Sequence, residues 1–481
     1  MSFDLALPVV VQDTREWRGT QYSVFAQLAP SLAEGESTAL QVVLRASGQA
    51  DQTPATLSLD ASRARYHLDG FGGNYCFNIE SPVTQYTLSN LRIGWARTEM
   101  TPGEWEPEND NDSPTETDWA LVESHDKPGS NLRREFELAR QIQGMGVPYV
   151  ISIWHLPEWL YADPGKGPQA HGRRVAPDKW DELLECLGSY LVYAKRKYGV
   201  EPDLFCFNEA NIGVRVLFTA EEHRDAIKRI GGHFQSLGLK TKMLLADATG
   251  PRGTHTYALP AAADAEAMKY VGAVAFHSWG GGSPADYGAW GDLAERLKLP
   301  LLVTELGVDA GAWRTRSFDS FHYALREVRM YQELLLYARP QGTMQWEFTS
   351  DYSTVAEEKD AEGKTRLVPT VRFEFVRHFC NLTPRGAEAL GVASDNDKVL
   401  FTAFAGDVGG KRAYTLHVAN LGSGRPATIS GVPAGVASLR AVQTSQAEAF
   451  QELEAVKVAE GRAELELAPQ SLLTLTTMPA D

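Results

Sequence analysis

Cysteine is scarce in this chain, which excludes a disulfide-stabilised scaffold. The 481 residues include four cysteines, and they form neither a CxxC pair nor a Cys/His spacing typical of a metal site. Cys76 and Cys206 lie in apolar, strand-like runs, so we expect buried free thiols rather than reactive or metal-binding ones.

Long apolar runs and an excess of positive charge are missing too. No stretch of about 20 uninterrupted apolar residues occurs, so we expect no membrane span. Acidic residues outnumber basic ones, 62 to 46, and the net charge of -16 argues against nucleic acid or an anionic membrane as the main partner. The first residues lack the basic region of a secretory leader. The compartment stays open, cytoplasmic if Met1 is native and secreted if a leader has been removed, and the oligomeric state is equally open.

The signature motifs of several enzyme classes are absent from the sequence. It has no EF-hand loop, HExxH pair, P-loop or serine nucleophile elbow, so metal, nucleotide and serine-hydrolase chemistry lack support. We therefore expect neither a cofactor nor a metal. The glycines at 70–73 do not have the spacing of a dinucleotide fingerprint, which disfavours a doubly wound nucleotide-binding fold.

Apolar runs alternate with amphipathic stretches through the middle of the chain, which implies βα units and a parallel sheet. Eight such units over roughly 300 residues suit a (β/α)8 TIM barrel. The predicted strands are 68–77, 92–99, 148–155, 203–209, 242–248, 271–278, 300–306 and 342–348. The predicted helices include 131–145, 178–198, 221–237, 262–270 and 319–338.

Short alternating runs at both ends of the chain predict a second, antiparallel β domain. The N-terminal runs include Tyr22–Ala26 and 40–44. Because these strands are too few for a stable sheet of their own, we expect them to pair with C-terminal strands in one accessory β-sandwich. The predicted domains are 1–65 (sandwich strands), 66–385 (catalytic barrel) and 386–481 (the rest of the sandwich). The polar segment 356–366 predicts a surface hairpin.

Two glutamates, Glu209 and Glu305, end the fourth and seventh predicted strands. A carboxylate is costly inside an apolar core but well placed at the C-terminal end of a barrel strand, where catalytic residues lie. Hydrolysis of a glycosidic bond uses two carboxyl groups, which stand about 5–5.5 Å apart in a retaining enzyme. The pair therefore points to a glycoside hydrolase with a carbohydrate substrate.

The local sequence around these glutamates resembles a known family. Asn208-Glu209 on the fourth strand with Glu305 on the seventh resembles the clan A glycoside hydrolases, the 4/7 superfamily. The motifs at 69–74, 154–159 and 467–475 resemble family 30 and its neighbours within that clan. This resemblance implies that Glu209 is the acid/base and Glu305 the nucleophile of a retaining double displacement on a β-linked sugar. It also implies a sandwich split between the two chain ends.

Further candidates lie at other strand ends and are assigned to substrate binding. They are Arg97, His155, Trp159, Asn208, His277, Trp279 and Trp346. In the clan, an arginine at the place of Arg97 commonly keeps the nucleophile ionised, as a cation beside a carboxylate would. Asn208 is expected to donate to the sugar 2-hydroxyl. Trp346 is expected to form an aromatic floor under the cleaved sugar, while each histidine contacts either a sugar hydroxyl or the acid/base.

Two other functions fit the same residues. A transglycosylase would use the same glutamates and differs in whether water or a sugar reaches the intermediate. A non-catalytic carbohydrate-binding barrel would have lost one carboxylate, and both are present here. Loop arginines, which grip carboxylates well, leave an acidic sugar open beside glucan, xylan and galactan. Exo or endo action is not indicated.

Overall fold

A computed structural model of the chain describes residues 9–13, 22–26, 29, 31–38, 48–167, 170–349 and 352–480. The chain divides into a small unit, 1–51, and a large unit, 52–481. In the small unit, β1 (Val9–Asp13) pairs antiparallel with β2 (Tyr22–Ala26). The predicted strand at Tyr22–Ala26 is therefore present, but its partner is its neighbour in sequence and not a C-terminal strand. A short connection favours such local pairing. The predicted strand 40–44 lies outside the described residues.

The large unit begins with a long strand, β3 (Ala55–Leu68), and continues directly into a closed eight-stranded parallel barrel. Every predicted barrel strand is confirmed, one with its predicted bounds and the other seven with shortened ends. The barrel strands are β4 (Gly70–Tyr75), β5 (Ala96–Glu99), β6 (Tyr149–Ile153), β7 (Leu204–Phe207), β8 (Lys242–Ala248), β9 (Val271–His277), β10 (Leu301–Leu306) and β11 (Gly342–Gln345). Nearly all of their residues are buried, as expected for strands covered by helices on one face and packed into the barrel interior on the other.

Helices connect the barrel strands and cover them from outside. The helices are α1 (Pro82–Asn90), α2 (Pro102–Trp105), α3 (Trp119–Glu123), α4 (Asn131–Gly144), α5 (Trp180–Tyr193), α6 (Ala220–Ser236), α7 (Leu259–Ala262), α8 (Ala265–Met268), α9 (Pro284–Leu297), α10 (Phe321–Glu333) and α11 (Val371–Leu382). Capping boxes begin two of them, Thr219 with Glu222 at α6 and Ser283 with Asp286 at α9. The predicted helix 262–270 is instead the two short helices α7 and α8, because Asp264 caps a new helix there.

Two adjacent glycines in β4 allow the barrel to close tightly. A Cβ atom on Gly72 would lie 1.7 Å from the carbonyl oxygen of Trp95, and one on Gly73 would lie 2.2 Å from the ring of Phe348. Both positions therefore require glycine for close approach of a neighbouring strand and ring. The sequence 70–73, which lacks the spacing of a dinucleotide motif, is thus a packing feature of the first barrel strand.

The accessory domain is a nine-stranded, mostly antiparallel sheet made from both ends of the large unit, as predicted. β3 supplies the N-terminal strand and pairs with β14 (Ala387–Ser394) and β17 (Arg425–Ser430). The C-terminal strands are β14 (Ala387–Ser394), β15 (Val399–Val408), β16 (Lys411–Asn420), β17 (Arg425–Ser430), β18 (Ser438–Thr444), β19 (Gln451–Lys457), β20 (Arg462–Leu467) and β21 (Ser471–Thr476). Alternate side chains of these strands enclose a separate apolar core.

Two smaller predictions can also be compared with the structure. The hairpin expected at 356–366 is β12 (Val355–Lys359) with β13 (Thr365–Pro369). All four cysteines are buried and form no disulfide.

Within the described part of the chain, no helix has the length and apolar character needed to cross a membrane.

Candidate active site

Glu209 and Glu305 meet at the C-terminal end of the barrel. Glu209 follows β7, the fourth barrel strand, and Glu305 lies near the end of β10, the seventh. A carboxylate oxygen of one lies within 4.8 Å of an oxygen of the other. The side chain of Glu209 is 10% exposed and that of Glu305 is 5% exposed, so both are largely buried but still accessible to solvent.

His277, at the end of β9, bridges the two carboxylates. Its Nδ1 atom lies 2.9 Å from Oε1 of Glu209 and 3.2 Å from Oε2 of Glu305. Its Nε2 atom lies 3.3 Å from Oδ1 of Asp247. Burial alone would lower the pKa of His277, but the charges of Glu305 and Asp247 raise it well above the usual value. The neighbouring carboxylates therefore favour the protonated form of the imidazole that lies between the two glutamates.

Arg97 lies on β5, the second barrel strand, and forms an ion pair with Glu305. Its guanidinium donates to Oε1 of Glu305 at 2.7 Å, to Asp247 at 3.0 Å and to Oδ1 of Asn208 at 2.8 Å. Burial opposes ionisation of Glu305, yet the charges of His277 and Arg97 hold its pKa below the ordinary value of glutamate. The ionised form of Glu305 is therefore favoured.

Asp247 is a buried member of the site that the sequence reasoning missed. It is fully buried near the end of β8 and accepts hydrogen bonds from Arg97 and Thr304. Burial would raise its pKa, but Arg97 and His277 hold the pKa well below the usual value. The signal was available, because Asp247 ends an apolar strand just as Glu209 and Glu305 do.

The backbone around these carboxylates is strained. Glu209 has φ +45°, Ala246 +85° and Asp247 +56°, all in the left-handed region that residues with a Cβ rarely adopt. The pairing of β8 with β9 is also irregular between Ala246 and Ala248. Such departures cluster at functional sites, where surrounding contacts hold them in place.

Aromatic side chains surround the carboxylates. Trp279 donates its indole N–H to Oε2 of Glu305 at 2.8 Å. The ring of Trp346 lies 6.5 Å from that of Trp279, 6.0 Å from that of Trp154 and 6.1 Å from that of Phe77. The structure thus brings Trp279 and Trp346 together beside Glu305. It adds Trp154 and Phe77, which were not singled out in the sequence.

The remaining predicted residues take different positions. Asn208 directly precedes Glu209. Its side-chain oxygen accepts a hydrogen bond from Arg97, so its amide NH2 group points away from Arg97. His155 lies just after β6 and is partly buried. Trp159 is partly buried, its indole N–H donates to the backbone oxygen of Glu106, and Lys179 lies over its ring.

Replacing Arg97 with methionine is expected to destabilise the protein by about 3–5 kcal/mol, the usual cost of leaving a buried charge without its partner. Among the described residues, the change leaves His277 as the remaining basic side chain that contacts the buried Asp247 and Glu305. Urea unfolding at neutral pH measures the loss. The pKa of Glu305 should rise, so the acid limb of the kcat/KM profile should move to higher pH.

Arg97→Lys is the matched control, since it keeps the charge and loses the branched geometry. It should retain more stability than the methionine variant and shift the acid limb less. A methionine variant that unfolds within about 1 kcal/mol of the parent, the range of an exposed ion pair, would contradict a central role for Arg97.

Known proteins resemble this chain closely in fold but only weakly in sequence. No family model matches the chain, and no curated protein matches it by sequence. A GH30 endoxylanase from Clostridium papyrosolvens superposes with a TM-score of 0.68 at 16% identity, covering 88% of this chain and 99% of that one. The catalytic domain of GH30 xylanase C from Talaromyces cellulolyticus gives 0.66 at 14% identity, with 88% and 99% covered. A family 51 α-L-arabinofuranosidase from Bifidobacterium longum gives 0.58 at 12%, with 89% and 100% covered.

The chain therefore has the fold of the GH30 endoxylanases and of related clan A glycoside hydrolases. This agrees with the resemblance found in its short motifs. The match includes the closed barrel and the accessory sheet, since nearly nine tenths of the chain is superposed.

Proposed function

We propose that this protein is a retaining glycoside hydrolase that cleaves a β-linked sugar by double displacement. The observation that carries the proposal is the approach of Glu209 and Glu305 to within 4.8 Å across the end of the barrel. Inverting enzymes keep their carboxyl groups about 6.5–9.5 Å apart to admit a water molecule, whereas retaining enzymes keep them closer. The geometry favours the retaining arrangement.

In the proposed reaction, the carboxylate of Glu305 attacks the anomeric carbon while Glu209 gives a proton to the departing oxygen. A covalent glycosyl-enzyme forms, and Glu209 then takes a proton from water, which releases the sugar from Glu305. Arg97 and His277 support these roles because both contact Glu305 and keep it ionised before attack. His277 also contacts Glu209, so it ties the acid/base to the nucleophile.

The surrounding residues are assigned to substrate binding. Arg97 donates a hydrogen bond to the amide oxygen of Asn208, so the NH2 group of Asn208 can donate to the sugar 2-hydroxyl. Trp346 and Trp279 provide apolar faces beside Glu305 on which a sugar ring can stack. His155 and Trp159 remain proposed binding residues. A hydrogen bond to the 2-hydroxyl strengthens in the transition state, so Asn208 contributes to turnover as well as affinity.

An activity panel tests this function. Aryl β-glycosides and their α-anomers, with xylan and glucan, are incubated with the protein, and xylosides come first because two structural neighbours are xylanases. We expect release of the aryl group from at least one β-glycoside and none from its α-anomer. Binding across the panel without any release would contradict the proposal and favour a carbohydrate-binding barrel. Sugar-to-sugar transfer in place of hydrolysis would identify a transglycosylase.

A further inference from the structure

A second group of carboxylates lies away from the glutamate pair, between the loop after α2 and the helix α5. It consists of Glu106 and Asp110 on the loop and Glu185 on the helix. One carboxylate oxygen of each lies within 4.8 Å of one on each of the others. Glu106 and Glu185 are 0% and 5% exposed, so two of the three are taken out of water almost completely.

These buried carboxylates have oxygens left without a partner. Within the described part of the chain, Oε2 of Glu106 and Oε2 of Glu185 accept no hydrogen bond. Their other oxygens are used, since Oε1 of Glu106 accepts from the backbone N–H of Asp110 and Oε1 of Glu185 accepts from Thr117. A buried polar atom left unpaired costs roughly 1–3 kcal/mol, and more when it is charged.

No cationic side chain compensates this charge. Among the described residues, none of the three carboxylates forms an ion pair with lysine, arginine or histidine. The arrangement is thus one that a bound cation would stabilise directly.

Two more oxygen donors stand nearby. Glu182 lies one helical turn before Glu185, so the two share a face of α5, and its Oε2 atom is likewise buried and unpartnered. Oδ1 of Asn109, beside Asp110 on the loop, is also buried without a partner. Carboxylates and amide oxygens together form the donor set that a hard divalent cation takes, and Ca²⁺ accepts six to eight such ligands in flexible geometry.

We propose that Glu106, Asp110 and Glu185 form a structural Ca²⁺ site. The ion would join the loop to α5, where Thr117 already donates to Glu185. Trp159 is linked to this loop because its indole N–H donates to the backbone oxygen of Glu106 at 3.0 Å. The site would therefore also fix the position of Trp159.

Calorimetric titration of the whole protein with CaCl₂, after treatment with EDTA and desalting, tests this site. We expect one Ca²⁺ bound per chain, weaker binding of Mg²⁺, and a melting temperature that rises with Ca²⁺ and falls back with EDTA, since binding to the native state alone stabilises it. Asp110→Asn and Glu185→Gln should each weaken binding at least about tenfold, because each removes a charged ligand.

Glu137→Gln, an exposed substitution on α4, is the matched control and should bind as the parent does. Absence of both heat and a melting shift up to about 10 mM Ca²⁺, above the dissociation constants of the weakest calcium modules, would overturn the proposal. So would unchanged binding in both ligand variants. If Glu185→Gln does not fold, the titration of the parent and of Asp110→Asn decides the matter.

Discussion

Replacing Glu305 with alanine is expected to lower kcat by about 10⁴-fold or more, the scale on which loss of a nucleophile acts in other hydrolases. The methyl group cannot attack the anomeric carbon, so no covalent intermediate forms. The fold should survive, because Arg97 keeps its ion pair with Asp247 at 3.0 Å when Glu305 is removed. Turnover of the best aryl β-glycoside, together with the melting temperature, measures both effects.

Rescue by azide sharpens this experiment. The truncated side chain leaves room for a small anion on the face of the sugar from which Glu305 would attack. Azide should therefore restore cleavage of a reactive glycoside and give a product of inverted configuration. Glu295→Gln, an exposed change on α9, is the control and should turn over normally. Activity of Glu305→Ala within tenfold of the parent would show that another group is the nucleophile.

Replacing Glu209 with glutamine is expected to lower kcat/KM by about 10²–10⁴-fold for a glycoside with a poor leaving group, the usual contribution of a general acid. The amide keeps the size of the carboxyl group and can still contact His277, but it has no proton to give. A dinitrophenyl glycoside needs no protonation of its leaving group, so its kcat/KM should fall far less. The two substrates are compared by steady-state kinetics.

The same variant should also show a second effect. Without a base, water attacks the intermediate slowly, so kcat and KM for the dinitrophenyl substrate should fall together and a burst of dinitrophenol should precede the steady state. Glu295→Gln again serves as the control. Equal losses for both leaving groups would contradict the assignment of Glu209 as the acid/base.

The barrel could be predicted from the sequence because its strands are short, apolar and separated by amphipathic helices. All eight predicted strands are present, and the apolar run before Glu305 became β10 (Leu301–Leu306) with every residue buried. The positions of Glu209 and Glu305 at strand ends followed from the same pattern, as did Arg97 on the second strand.

The parts that could not be predicted depend on three-dimensional register. That His277 would contact Glu305 as well as Glu209 depends on which strands are neighbours in the barrel. The apolar run before Asp247 indicates a strand end, but its contacts with Arg97 and His277 depend on the same neighbours and on left-handed φ values that no local pattern specifies. Trp159 lies in a motif like that of the family, yet its indole donates to the loop at Glu106. Glu106 and Asp110 lie more than 60 residues from Glu185 along the chain, so no local pattern could bring these three carboxylates together.

The stereochemistry of the first-formed product tests the central claim most directly. The best aryl β-glycoside is hydrolysed with a large amount of enzyme, and proton NMR follows the anomeric signals before mutarotation. Two inversions, first at Glu305 and then by water, leave the configuration unchanged, so the β-anomer should form first. First appearance of the α-anomer would mean a single displacement by water and would contradict the role proposed for Glu305.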